Sequence, residues 1–181
     1  MNTQLKFPVN KNDHIRGKED APLELVEYGD YECIDCGHAF PVINKIRQEM
    51  GEDLKFVFRN FPLSKIHHHA TSAAVAAEAA ALQNNFWEMH DIIFQNQKHL
   101  KSEDLLMYAD KIKLDTNKFK SDIQKNELLT KVESDFESGI RSGVNRTPTL
   151  FINGIKYTGG LENNELLNFL KTQLTKVKSV F

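Results

Sequence analysis

The chain has 181 residues, of which 40% are hydrophobic and 27% charged, and its formal net charge is −2. That is the make-up of one globular domain, or of one domain with a sizeable insertion, and it excludes a disordered, collagenous or fibrous chain. The near-neutral balance gives no electrostatic reason to expect nucleic acid or an anionic membrane as partner, and no apolar run approaches the roughly 18 residues of a membrane helix.

Residues 1–20 are polar and predict an irregular lead-in with a short strand near Leu5–Val9. The lead-in has no apolar core of signal-peptide length, so the chain as given is expected in the cytoplasm; a signal removed before numbering would place it in a periplasm or cell envelope. Residues 22–28 alternate apolar and polar types and predict a strand that Gly29-Asp30 ends. From Cys33, the residues Cys36, Phe40, Ile43, Ile46 and Met50 keep helical spacing, Gly51 supplies the C-terminal stop, and Pro41 is expected to kink or divide the helix. Residues 54–61 predict the next strand, completing a βαβ unit with a right-handed crossover. Residues 66–143 carry helical periodicity without strand signals and predict a block of three to five helices. Asn153-Gly154 then joins two β-type runs, 149–152 and 155–158, as a hairpin whose turn needs positive φ at both central positions. Leu161, Leu166, Leu167, Leu170 and Leu174 mark a last amphipathic helix, with Lys171 to Lys178 on its solvated face.

The only cysteines are Cys33 and Cys36, too few for a disulfide-stapled scaffold or an all-cysteine zinc site. Two ordinary buried cysteines, or half of a mixed zinc site, are the plain alternatives. The context favours redox chemistry: Cys33-Ile34-Asp35-Cys36 follows a strand and opens a helix, where unpaired N–H groups favour a thiolate. A spacing of three brings both sulfurs to one face, with Cys33 expected at an exposed tip and Cys36 beneath it. One thiol can then attack and the other resolve.

Residues 25–37, Leu-Val-Glu-Tyr-Gly-Asp-Tyr-Glu-Cys-Ile-Asp-Cys-Gly, resemble the active-site segment of DsbA-like thioredoxin-fold oxidoreductases. Residues 143–154, with Thr147-Pro148 at their centre, look like that family's second signature, and Phe61-Pro62-Leu63, His67-His68-His69-Ala70 and Phe86-Trp87-Glu88-Met89-His90 resemble its helical insertion. The resemblance covers roughly 14–178. It implies an α/β thioredoxin-like fold with a helical insertion between βαβ and ββα halves: residues 1–65 and 144–181 form the thioredoxin-like domain, and residues 66–143 the inserted helical domain. It also implies a cis Thr147-Pro148 bond facing the cysteines, where Thr147 and Pro148 dock an extended client. Without the resemblance, Pro148 reads equally as a turn proline. An acid at the position of Glu27 is implied to handle the proton of Cys36. Burial there would raise its pKa toward neutrality, whereas on an edge strand it would face water.

Ile34 and Asp35 are the residues expected to tune the pair, and they depart from the Pro and His of strongly oxidising members. A carboxylate about 5–6 Å away costs a thiolate about 0.7 kcal/mol in water and about 3 kcal/mol at an effective dielectric near 20, against about 0.3–2 kcal/mol returned by the helix terminus. With Asp30 and Glu32 also near, Cys33 is expected to be a weaker thiolate than in the strongest oxidants, and the couple less oxidising than DsbA. Asp35→His should reverse this.

The resulting expectation is a thiol–disulfide oxidoreductase acting on protein or peptide thiols and disulfides. It needs no cofactor beyond the Cys33–Cys36 disulfide, binds no metal, nucleic acid or membrane interior, and depends on an unspecified recycling partner. In a cytoplasm kept reduced it would act as a reductase or redox sensor, and in a periplasm as a disulfide oxidase. Two other classes stay open: a glutathione-dependent transferase or isomerase, which would tolerate loss of Cys36, and a non-catalytic metal- or peptide-binding module, which would survive Cys33→Ser. His67-His68-His69 could bind a metal, but consecutive residues point in different directions. Trp87, Met89 and Phe94 are expected in the core rather than in a client groove.

Overall fold

The structure, a computed structural model, describes residues 4–179. In chain order its elements are β1 (His14–Arg16), β2 (Leu23–Gly29), α1 (Ile34–Met50), β3 (Leu54–Asn60), α2 (Ala70–Ala81), α3 (Phe86–Gln95), α4 (Ser102–Lys111), α5 (Thr116–Asp122), α6 (Asn126–Arg141), β4 (Thr149–Ile152), β5 (Ile155–Lys156) and α7 (Glu165–Lys178). The sheet runs β1-β3-β2-β4-β5. Only β2 and β3 are parallel, joined by the crossover through α1; β1 is antiparallel to β3, β4 to β2 and β5 to β4. This is the thioredoxin-like α/β arrangement, with five helices between β3 and β4.

The central strand β2 is buried on both faces, and the pleat sorts its side chains. Leu25 joins Phe56, Phe58, Leu150 and Ile152 in a core filled by Ile43 of α1, Ile93 of α3 and Leu166 of α7. Val26 and Tyr28 point the other way, to Val57, Phe61 and Phe151, and Phe136 of α6 covers them. Glu27 therefore shares the face of Leu25, under α1; it pairs across the sheet with Phe58 and Leu150. The first core also takes in Ala73, Ala77, Met89, Phe94, Leu105 and Phe119, so the helical block and the sheet share one apolar interior.

Two elements differ from the sequence expectation. Leu5–Val9 is not a strand. Gln4 makes a single bridge to Ile155, Pro8 has no N–H to give a ladder, and the carbonyls of Phe7 and Pro8 accept from the Arg59 guanidinium instead. The edge strand is His14–Arg16, in register with Phe56–Phe58. Nor does Pro41 divide the first helix. One helix runs from Ile34 to Met50, and Cys36, Ala39, Ile43, Ile46 and Met50 bury one stripe on both sides of the proline. That continuous stripe outweighs the missing hydrogen bond. The hairpin forms as expected, with φ 47° at Asn153 and 77° at Gly154, although β5 stops at Lys156.

Candidate active site

Cys33 occupies the N-cap of α1 with extended backbone and no side-chain cap, so the first-turn N–H groups face its sulfur. The turn is fixed from both ends. Cys33 N donates to Asp30 O at 3.2 Å, and Gly37 N donates to Cys33 O at 3.1 Å. The Gln97 side-chain amide, through Nε2, donates to the carbonyls of Tyr31 and Cys33 at 2.8 and 2.9 Å. A Cβ at residue 37 would collide with Gln97 Oε1, so this clamp requires the glycine.

Both cysteines are free thiols. The expectation of an exposed tip is corrected: Cys33 is only 7% exposed and Cys36 is wholly buried. The cover comes from across the chain. Thr147-Pro148 is cis, and Cys33 Sγ donates to the Thr147 carbonyl at 3.4 Å. Cys36 Sγ lies deeper and accepts from Asp30 N at 3.4 Å. The cysteine pKa values separate accordingly. Cys33 is lowered to about 6, chiefly by a hydrogen bond from Cys36; burial opposes this, while the backbone N–H groups of Cys36 and Asp35 add to it. Burial, first of all, pushes Cys36 well above the ordinary thiol range, and its hydrogen bond to Cys33 and the charge of Glu27 act in the same direction. The near-balance expected at Cys33 is thus tipped toward the thiolate by hydrogen bonds that residue spacing does not reveal.

Glu27 lies beneath this pair, 3% exposed, and its Oε1 has no hydrogen-bond partner. Burial raises its pKa to about 8, and the neighbouring Cys33 charge adds to the effect. The Thr147 hydroxyl is likewise buried without a partner. Ile34 is 71% exposed beside the sulfurs, and Asp35 is exposed in the first turn of α1. Asp35 also borders a cleft of about 200 Å³ formed with Arg146, Thr147, Pro148, Lys156 and Tyr157. All seven residues singled out from the sequence, Glu27, Cys33, Ile34, Asp35, Cys36, Thr147 and Pro148, therefore converge on one end of β2.

The sequence profile of the thioredoxin family matches residues 9–172. The chain belongs to the thioredoxin family. Its Cys-x-x-Cys pair is intact. A Na(+)/H(+) antiporter, NhaA 1 of Mycolicibacterium vanbaalenii, is 42% identical over 171 residues, 93% of this chain but 28% of the antiporter. This chain spans about a quarter of the length of the curated relatives it matches. Among solved structures, oxidised BdbD from Bacillus subtilis superposes with a TM-score of 0.83 at 24% identity, covering 97% of this chain and all of BdbD. Wolbachia pipientis α-DsbA1 gives 0.81 at 22% identity, covering 97% and 96%. At such identities these two likenesses establish the DsbA-like fold.

Some of the site is not evident from residue spacing. Asp30, which the sequence shows only as negative charge near the cysteines, is a buried hub that accepts from Glu32 N, Leu63 N and His67 Nδ1, each at 2.8 Å. Tyr31 is buried, and its hydroxyl meets His90 Nδ1 at 3.1 Å within a ring of aromatic side chains. Met89 and Phe94 are core residues; Trp87 is half-buried, and its Nε1 donates to Ile15 O at 3.0 Å. Among the described residues, no group of three His, Cys, Asp or Glu is arranged to hold a metal ion. The three consecutive histidines diverge: His67 meets Asp30, His68 borders a groove between α2 and the α4–α5 pair, and His69 N donates to Glu32 Oε2 at 2.6 Å.

Proposed function

We propose that this protein exchanges thiols and disulfides with protein or peptide clients through Cys33 and Cys36, without a further cofactor. The observation that carries the reading is the split between the two sulfurs: Cys33 is lowered to about 6 at the mouth of the site, and Cys36 is raised in its floor. The Cys33 thiolate attacks a client disulfide, forms a mixed disulfide and releases one client thiolate. Cys36, once deprotonated, attacks Cys33 Sγ, releasing the second client thiol and closing the Cys33–Cys36 disulfide. In this reading Glu27 takes the Cys36 proton, and Thr147 and Pro148 hold the extended client. Electrons flow the other way when the disulfide form meets a client dithiol.

Attacking cysteines in this fold range from about 3.5 in DsbA to about 7 in thioredoxin. The Cys33 value supports a couple less oxidising than DsbA, with Ile34 and Asp35 as tuning residues. That favours a cytoplasmic reductase; a potential well above the glutathione couple would instead favour a disulfide donor in a periplasm or cell envelope. The test uses insulin reduction and oxidative refolding of reduced ribonuclease. Cys33→Ser should abolish both activities, and Cys36→Ser should trap the client as a mixed disulfide. Full activity in Cys36→Ser would favour a glutathione transferase or isomerase, and undisturbed function in Cys33→Ser a binding module.

One observation favours a second reading of the client. The 42%-identical relative carries the matching stretch within a chain named as a Na(+)/H(+) antiporter. A transport protein is then the client class, and the Cys36→Ser variant incubated with host membranes should trap one. Mixed disulfides confined to water-soluble proteins would contradict this reading.

A further inference from the structure

The dipeptide between the cysteines brings a carboxylate, Asp35, where a cation would help the thiolate. A candidate cation enters from elsewhere. The turn after β3 carries His67, whose N–H donates to Leu63 O at 3.0 Å and whose carbonyl accepts from Ala70 N at 3.3 Å as α2 begins. This brings the ring to the β2–α1 turn, with Nδ1 2.8 Å from Asp30 Oδ2. The Asp30 side chain is fully buried, and the His67 side chain is 22% exposed. Asp30 is also bonded to both active-site cysteines through its backbone: its carbonyl accepts from Cys33 N, and its N–H donates to Cys36 Sγ. The imidazole is therefore one residue's width from the redox turn and fixed to its most buried anion.

We propose that protonated His67, held by Asp30, is the positioning residue that supplies the positive charge missing between the cysteines, so that Cys33 reactivity is coupled to the protonation of a second-site histidine. The inference rests on the exchange reading above and deepens it. The groups facing His67 are Asp30 from the end of β2 and Glu32 and Cys33 from the turn, all anionic when ionised. Burial lowers the His67 pKa, but the hydrogen bond and charge of Asp30, with Cys33 and Glu32, raise it overall above the usual histidine value. Coupling is reciprocal: if ionised Cys33 favours the imidazolium, the imidazolium favours ionised Cys33 to the same extent. As pH rises through the His67 pKa the cation is lost, and the nucleophilicity of the thiolate must change with it.

The test is the pKa of Cys33, read from the pH dependence of alkylation and of ultraviolet thiolate absorbance. In the wild type the alkylation profile should carry a second inflection where His67 titrates. His67→Gln keeps a donor for Asp30 without the charge; the Cys33 pKa should rise by about 0.5–1 unit and the second inflection disappear. His67→Lys restores a cation and should bring the Cys33 pKa back down, still without the second inflection. An unchanged Cys33 pKa in folded His67→Gln overturns the proposal, as does a raised value that His67→Lys leaves raised. Should His67→Gln not fold, the same coupling is read from the other side by NMR. The His67 pKa should fall by about 0.5–1 unit in Cys33→Ala, and an unchanged value overturns the proposal. These readouts need no turnover. A protein that shows the coupling but does not exchange with insulin or glutathione disproves the functional reading alone, and the converse result disproves only the role of His67.

Discussion

Glu27 combines almost complete burial, one unpartnered carboxylate oxygen and a pKa of about 8. Such a group can accept a proton near neutrality, and Cys36 above it has one to lose. Glu27→Gln should slow resolution of a trapped mixed disulfide by about a hundredfold at neutral pH while leaving the Cys33 attack little changed; stopped-flow quenching with alkylation separates the two steps. The same residue carries a stability signature. The native state retains a proton that the unfolded chain gives up, so stability falls as pH rises from about 4.5 to about 8. The slope is about 1.4 kcal/mol per pH unit from this group alone. Urea midpoints of Glu27→Gln across that range should lose this component. Asp35 calls for a smaller expectation than its spacing suggests, because its side chain is exposed and screened. Asp35→His should still lower the Cys33 pKa, by less than about one unit, and raise the reduction potential. No change in either quantity would show that the dipeptide charge does not tune the pair.

Secondary elements differ in how far local sequence decides them. The 149–156 hairpin is legible because Asn153-Gly154 supplies the turn by itself. The strand His14–Arg16 is not, since distant partners hold it: His14 meets Glu78, Arg16 meets Asp91, and the preceding Asp13 meets Arg59 of β3. The Asp13–Arg59 pair is bidentate at 2.8 and 2.9 Å, with both side chains at most 4% exposed. Burial raises the Asp13 pKa, but the bonds and charge of Arg59 outweigh it, and the net value is lowered. Asp13 therefore contributes stability above its unfolded value near 3.8, lost as pH falls through the lower folded value. Asp13→Ala leaves Arg59 buried and unpaired and should cost roughly 3–5 kcal/mol in denaturant unfolding. Helix α6 offers a steric counterpart. A Cβ on Gly139 would lie 2.6 Å from the Phe61 ring and 3.0 Å from Tyr28. Gly139→Ala should destabilise the protein by about 1–2 kcal/mol, because overpacking exceeds the roughly 1 kcal/mol gained in helix propensity; a higher urea midpoint would contradict that.

In the whole molecule, the redox site forms where three stretches distant in sequence meet: the β2–α1 turn, the His67 turn and Thr147-Pro148. The first and third were legible because their chemistry resides in residue types, a cysteine pair and an X-Pro step, and because their family signatures are specific. The second was not, because an imidazole meets a buried carboxylate only after α2 docks on the sheet. The depth of Cys33 escaped for a similar reason, since its cover comes from Thr147, 114 residues away. Whether Cys33 and Cys36 form a redox couple milder than DsbA's is read from the equilibrium reduction potential of the pair in glutathione buffers, followed by alkylation and mass. The pair should interconvert reversibly at a potential between about −270 mV, that of thioredoxin, and about −120 mV, that of DsbA. A pair that forms no disulfide in any buffer, or a potential at or above that of DsbA, would contradict that expectation.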